Sequence, residues 1–109
     1  MLKKRDRLTA RDIESLSLGK SVFGTLVSLR MLPSKKLGFA VSVSKKNLHT
    51  AVDRGRMRRR IYSAIERYMP KIKTPALVMI MPKKECLDMP FEGLCREIED
   101  VLAKAGLLG

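Results

Sequence analysis

The sequence predicts a single small α/β domain, a two-layer sandwich in which helices lie against a small mixed sheet. Three observations carry this. Boxes of the form Thr-x-x-Asp, at Thr9 and Thr50, each open a helical stretch. Segments that alternate in polarity, or stay apolar throughout, read as strands around the second of them. A length of 109 residues with 45% hydrophobic content suits one modest core. Residues 1–109 are therefore read as one domain with the order α-β-β-α-β-α. A further strand is gained if the first β segment breaks at Gly24.

The elements follow in chain order. Thr9-Ala-Arg-Asp12 is the first capping box, with Leu8 and Ile13 placed as a hydrophobic staple. The short helix behind it puts Ile13 and Leu16 on one face, and Gly19 ends it. From Ser21 to Leu32 the side chains alternate. Thr25, Val27, Leu29 and Met31 fall on one side, and Leu26, Ser28 and Arg30 on the other. Gly24 is the natural break. Pro33-Ser-Lys-Lys36 is a turn, and Leu37 to Ser44 is the next strand, so these two strands are expected to pair as an antiparallel hairpin. Thr50-Ala-Val-Asp53 opens a longer helix that runs to about Met69 and stops before Pro70. Pro75 to Met81 is continuously apolar and reads as a strand buried on both faces. Asp88 is expected to cap a last helix. Its buried stripe is Phe91, Leu94, Cys95, Ile98, Val101 and Leu102, and Gly106 closes it.

Charge narrows the function. The net charge is +12 and the isoelectric point is about 10.2, which calls for a polyanionic partner. The longest strongly apolar run, Ala76 to Met81, is far too short to span a bilayer. The start, MLKKRDRL, has no apolar stretch behind its charges and is not expected to be a signal peptide. No membrane role is expected, and the cytoplasm is the expected setting. Cys86 and Cys95 fit neither a disulfide framework nor, with the distant His49, a zinc pattern. Cys95 reads as core packing, and the seven methionines as core filler. Lys83-Lys-Glu85 reads as a solvated loop.

The charge is concentrated in the second helix. Arg54, Arg56, Arg58, Arg59 and Arg60 fall within seven positions. On a helical wheel Met57, Ile61, Ala64, Ile65 and Tyr68 make one core stripe. Arg56, Arg59, Arg60 and Ser63 make a stripe beside it, Arg58 lies on the opposite flank, and Arg54 is in the first turn, free to move as the helix end frays. Like charges at i,i+3 and i,i+4 cost roughly 0.2–0.5 kcal/mol a pair, and they crowd the end of the helix that prefers anions. Asp53 is the one acid three or four positions from any of these arginines. A merely solvated face would interleave acids. Phosphates are expected to supply the missing counter-charge, with strongly salt-dependent binding. Ser44-Lys45-Lys46, at a strand end just before the helix, extends this basic surface and forms a candidate phosphate site.

These pieces also resemble a family. RDRLTARDIESLSLGKS, LVSLRMLP, GFAVSVSKK and AVDRGRMRRRI, in this order and spacing, resemble the protein subunit of bacterial ribonuclease P over nearly the whole chain. The family's signature is Arg-Asn-Arg followed by a basic pair, at the start of a helix that follows a Ser-Lys-Lys strand end. Arg54, Gly55 and Arg56 take the first three places here, and Arg58-Arg59 the pair. The resemblance implies the family's α/β sandwich, with a left-handed crossover around the arginine helix against the usual rule. It implies a protein cofactor, monomeric within a ribonucleoprotein, that binds the catalytic RNA and precursor tRNA. The RNA, with magnesium, would cut the 5′ leader, and the protein would raise substrate and metal affinity without performing the chemistry. No catalytic residue and no metal cluster is expected in the protein.

The chain departs from the family in four places. Gly55 replaces the asparagine, which loosens the helix by roughly 1 kcal/mol relative to alanine. Tyr62 and Ser63 stand where an arginine and then an acid or amide are usual. One extra residue lies between Lys46 and Ala51. The family's leader cleft presents aromatics where this chain has Ile13, Ser17 and Arg30. With five aromatics in the chain (Phe 3, Tyr 2), base stacking is expected to be weak, and leader contact to be electrostatic through Arg30 and Lys20.

Two other classes compete. A nuclease acting alone needs paired acids and bases or a carboxylate cluster holding metal. His49 reads as a solvated loop residue, and Glu97, Glu99 and Asp100 read as the solvent face of the last helix. A general basic RNA-binding or ribosomal-type protein fits the composition but not the order of the blocks.

Overall fold

β4, Ala76–Pro82, organises the molecule. Five of its seven residues are buried, so it takes a strand on each side. Met79 and Met81 share one face and are only half-buried, so the strand is not buried on both faces as its apolar run suggests. In this computed structural model, which describes residues 14–46 and 48–108 and Ser17 by its backbone alone, it has both neighbours. The sheet runs β1 (Lys20–Phe23), β2 (Val27–Pro33), β4, β3 (Gly38–Val41). β1 with β2 and β2 with β4 are antiparallel, while β3 and β4 are parallel.

The strand from Ser21 to Leu32 is broken at Gly24 into β1 and β2. Gly24 N donates to Val27 O at 3.0 Å across the turn. A Cβ at Gly24 would lie 2.6 Å from that oxygen and 2.7 Å from Val101 Cγ1, so no larger residue fits there. The expected hairpin between β2 and β3 does not form. β4 lies between them, because the most apolar strand takes the inner place and the shorter, half-exposed β3 takes the edge. β3 then reaches β4 in parallel, which requires a helical crossover, and α1, Ala51–Tyr68, supplies it.

α1 is capped by Thr50, whose Oγ1 accepts from Asp53 N at 3.1 Å. Its buried residues are Met57, Ile61, Ala64, Ile65 and Tyr68, the stripe expected from the wheel. α2, Phe91–Lys104, buries Leu94, Cys95, Ile98, Val101 and Leu102. Asp88 is not its cap. The helix begins behind Pro90, whose fixed φ suits a helix entry, and Asp88 ends the short 3-10 turn Lys84–Leu87 instead. Beyond α2, Gly106 adopts φ +77°, a conformation favourable to glycine, and Leu107 folds back into the core.

The two helices share the sheet face that carries Val27, Leu29, Met31, Phe39, Val78 and Ile80. The other face presents three cross-strand rows. Leu32, Leu77 and Gly38 form the first, Ser21, Arg30, Met79 and Ala40 the second, and Phe23, Ser28 and Met81 the third. The 3-10 turn Leu16–Leu18 packs near the first row. Leu16 and Leu77 are buried there, outside the main core. The capping box at Thr9, and Ile13 with it, lie outside the described residues.

Candidate nucleic-acid interface

The basic surface is built on α1 and on the turn before it. Ser44 closes that turn. Its Oγ accepts from Lys46 N at 3.1 Å, and its carbonyl accepts from Leu48 N at 3.0 Å. Leu48 is buried and pins the segment to the core. Lys45 and Lys46 are exposed at the tip. Ser44, read from the sequence as a phosphate contact, also shapes the turn through the acceptor side of its hydroxyl, which leaves the hydroxyl proton to donate.

The five arginines divide by what they touch. Arg54 is not loose in a frayed first turn. Its Nη1 donates to Leu48 O at 2.9 Å and His49 O at 3.0 Å, fastening the lysine turn to the helix. Arg60 is half-buried, and its Nη2 donates to Met89 O, tying α1 to the segment that leads into α2. Its Nε is buried with no partner among the described residues, so this tie places the side chain without satisfying all of it. Arg56 faces Asp88 at 3.7 Å, with both side chains at least half exposed. Such a pair contributes at most about 1 kcal/mol and yields readily to a stronger anion. Arg58 and Arg59 are exposed. Arg59 Nη1 lies 3.5 Å from where a Cβ at Gly55 would be, so the glycine leaves open space beside this guanidinium.

Arg58 occupies the other flank, as the wheel requires. With Ala40, Val41, Ser42, Val43 and Met79 it lines a groove of about 270 Å³. Ala40 and Met79 belong to the sheet face that α1 and α2 leave uncovered. Arg58 therefore stands where the basic helix meets that face.

On the uncovered face Arg30 Nε donates to Ser21 Oγ at 3.3 Å across the β1–β2 ladder. Lys20 pairs in register with Met31, so the pleat turns it toward the opposite face from Arg30. The structure does not bring these two expected leader contacts together. Ile13 lies outside the described residues, and of Ser17 the backbone alone is described. Phe23 was not singled out by sequence reading. It is 74% exposed on the same face as Arg30. Its signal was recoverable, because Phe23 alternates with Ser21 once the chain is known to turn at Gly24.

Away from this surface the charges pair conventionally. Arg67 donates to both carboxylate oxygens of Glu92, at 2.9 and 3.1 Å, and lies over the Phe91 ring. These hydrogen bonds hold the Glu92 carboxyl below its usual range and the Arg67 guanidinium above its own. Burial pushes up the thiols of Cys86 and Cys95. Among the described residues no three His, Cys, Asp or Glu side chains gather as metal ligands, and no helix is long and apolar enough to cross a membrane.

The ribonuclease P family model matches residues 2–106. This chain belongs to the ribonuclease P protein family. The ribonuclease P protein component of Symbiobacterium thermophilum is 29% identical over 98% of this chain and 96% of its own length. Two solved structures share the fold. One is the RNase P protein of Staphylococcus aureus, with a TM-score of 0.81 at 21% identity, covering 95% of this chain and 98% of that one. The other is the RNase P protein of Thermotoga maritima, with a TM-score of 0.80 at 18% identity, covering 92% and 97%. As a ribonuclease P protein, the chain is the protein component of an endoribonuclease that matures the 5′ ends of tRNA, and its partner is the ribonuclease P RNA. The reading as a general ribosomal-type RNA binder is set aside.

Proposed function

We propose that the chain docks on the catalytic RNA through Arg56, Arg58, Arg59, Lys45 and Lys46, and that Arg54 and Arg60 hold this surface in shape. The observation that carries the assignment is the division of the arginines. Arg54 and Arg60 are spent on backbone carbonyls, whereas Arg58 and Arg59 project outward and Arg56 has a weak, displaceable partner. The uncovered sheet face then takes the 5′ leader of precursor tRNA, with Arg30 as its cation. The groove at Arg58 connects the two surfaces, so one protein contacts the ribozyme and its substrate together.

In this reading the protein acts as a monomer in the bacterial cytoplasm and performs no bond chemistry. Magnesium is held by the RNA and the substrate. The added cations on the leader raise substrate affinity and lower the magnesium needed to hold it.

The test compares precursor tRNA with mature tRNA on the reconstituted holoenzyme across a magnesium titration. The protein should tighten the precursor more than the mature form, and Arg30→Ala should narrow that difference. Equal tightening of both, or a difference unchanged by Arg30→Ala, would place the leader elsewhere.

A further inference from the structure

We infer that Phe23 is a stacking platform for one unpaired base of the leader, with Arg30 holding the adjacent phosphate. This rests on the leader lying along the uncovered sheet face, and it adds the residue that reads a base there.

Three large hydrophobic side chains are exposed among the described residues, namely Leu18, Phe23 and Val52. A single exposed apolar residue is ordinary on a protein surface. What sets Phe23 apart is its place in the ladder. It pairs with Ser28, one step along from the Ser21–Arg30 pair. Alternation puts Phe23, Ser21, Ser28 and Arg30 on one face, and it is the face that neither α1 nor α2 covers.

The neighbours leave the ring available. Its cross-strand partner is a serine, too small to cover an aromatic face, and that hydroxyl is directed toward Met81 O at 3.5 Å. Among the described residues β1 is the edge strand, with no further strand beside the ring. The turn that follows is fixed by the tight fit of Gly24 against Val27 and Val101, which sets where the strand ends and hence where Phe23 stands.

The charge defines the occupant. Arg30 is drawn toward β1 by its bond to Ser21. Phe23 and Arg30 are diagonal neighbours, with a backbone separation of roughly 7–8 Å that long side chains bridge. An aromatic face beside a guanidinium matches the two parts of a nucleotide, since the base stacks and the phosphate pairs. An apolar peptide would leave Arg30 unpaired, and a duplex would not offer a base face. A single strand satisfies both groups.

The test is a thermodynamic cycle on the reconstituted holoenzyme. The protein variants are wild type, Phe23→Ala, Phe23→Trp and Arg30→Ala. The substrates are precursor tRNA, mature tRNA, and precursors with one abasic site stepped along the leader. Phe23→Ala should weaken precursor binding roughly 5- to 150-fold, the range that corresponds to about 1–3 kcal/mol per stacked base. It should leave mature tRNA unchanged, and Phe23→Trp should restore the precursor. One abasic position should weaken wild type but not Phe23→Ala, which identifies the base. Equal precursor affinity for Phe23→Ala and wild type, with Arg30→Ala still defective, would overturn the stacking and keep the leader on this face. If neither variant matters, both the stacking and the leader assignment are wrong.

Discussion

Arg54 donates from one guanidinium nitrogen to the carbonyl of Leu48 at 2.9 Å, and the same nitrogen reaches His49 O at 3.0 Å. The arginine that opens the signature is thus spent on the protein's own backbone. It joins the turn carrying Lys45 and Lys46 to the helix carrying Arg58 and Arg59, and it fixes the spacing of two sets of cations. In the proposed interface its role is positional.

Arg54→Ala is therefore expected to cost stability. Hydrogen bonds from a charged donor are worth about 1.5–3 kcal/mol, and partial exposure places this pair toward the lower end. Urea denaturation measures the loss. RNA affinity should fall as the turn loosens, while the dependence of log affinity on log salt stays near the wild-type slope.

Arg58→Ala and Arg59→Ala should behave in the opposite way. Each side chain is exposed, so the midpoint of unfolding should move little. Each should flatten the salt dependence of ribonuclease P RNA binding by about 0.7–0.9 for every phosphate it no longer neutralises. A titration from low to moderate salt reads this directly. An unaltered slope for both would mean that neither guanidinium meets a phosphate.

Arg60→Ala separates from these two. It removes the tie to Met89 O and should destabilise the packing of α1 against the approach to α2. The expected loss is about 1–3 kcal/mol, with the salt slope unchanged. A flattened slope at wild-type stability would move Arg60 to the RNA-facing set.

Gly55→Ala should stabilise the free protein by about 1 kcal/mol, since glycine costs that much within a helix. The added Cβ would meet Arg59 Nη1 at 3.5 Å, an ordinary contact. Thermal or urea unfolding tests it, and a destabilised variant would show that the glycine conformation matters here.

The thiols give a pH prediction. Burial raises both Cys86 and Cys95, so a thiol reagent near neutral pH should label the native protein slowly and the unfolded chain fast. In the unfolded chain the thiols titrate at about pH 8.5. Stability from keeping them neutral is complete below that pH and declines as pH rises toward their raised native values. Rapid native labelling of either cysteine would show that it is more open than its packing suggests.

How much of this was legible in the sequence depended on the range of the interaction. The core stripe of α1, from Met57 to Tyr68, follows from local periodicity and appears as read. So does the Thr50 cap, which spans three residues. The sheet order was not readable. Pro33 to Lys36 looks like a hairpin turn, and no local signal says that β4 will enter between β2 and β3. That outcome comes from placing Ala76–Pro82, the most apolar strand, inside the sheet between two neighbours, a property of the whole fold. The partners of the arginines were hidden for a similar reason. Asp88 and Met89 lie far along the chain from Arg56 and Arg60, and carbonyl acceptors leave no mark in a sequence because every residue carries one. On the uncovered face, alternation within Ser21–Leu32 placed Arg30 correctly opposite the core. Lys20 and Phe23 required the register of β1, which the turn at Gly24 sets.

The most direct test of the central claim, that α1 delivers this protein to a catalytic RNA, is leader release. Purified protein is mixed with a bacterial ribonuclease P RNA and precursor tRNA at low magnesium, beside RNA alone, protein alone, and the Arg58→Ala/Arg59→Ala variant. Stimulation should require the RNA and should be largely lost in the double variant at unchanged thermal stability. Full stimulation by that variant, or leader release by the protein without RNA, would contradict the account.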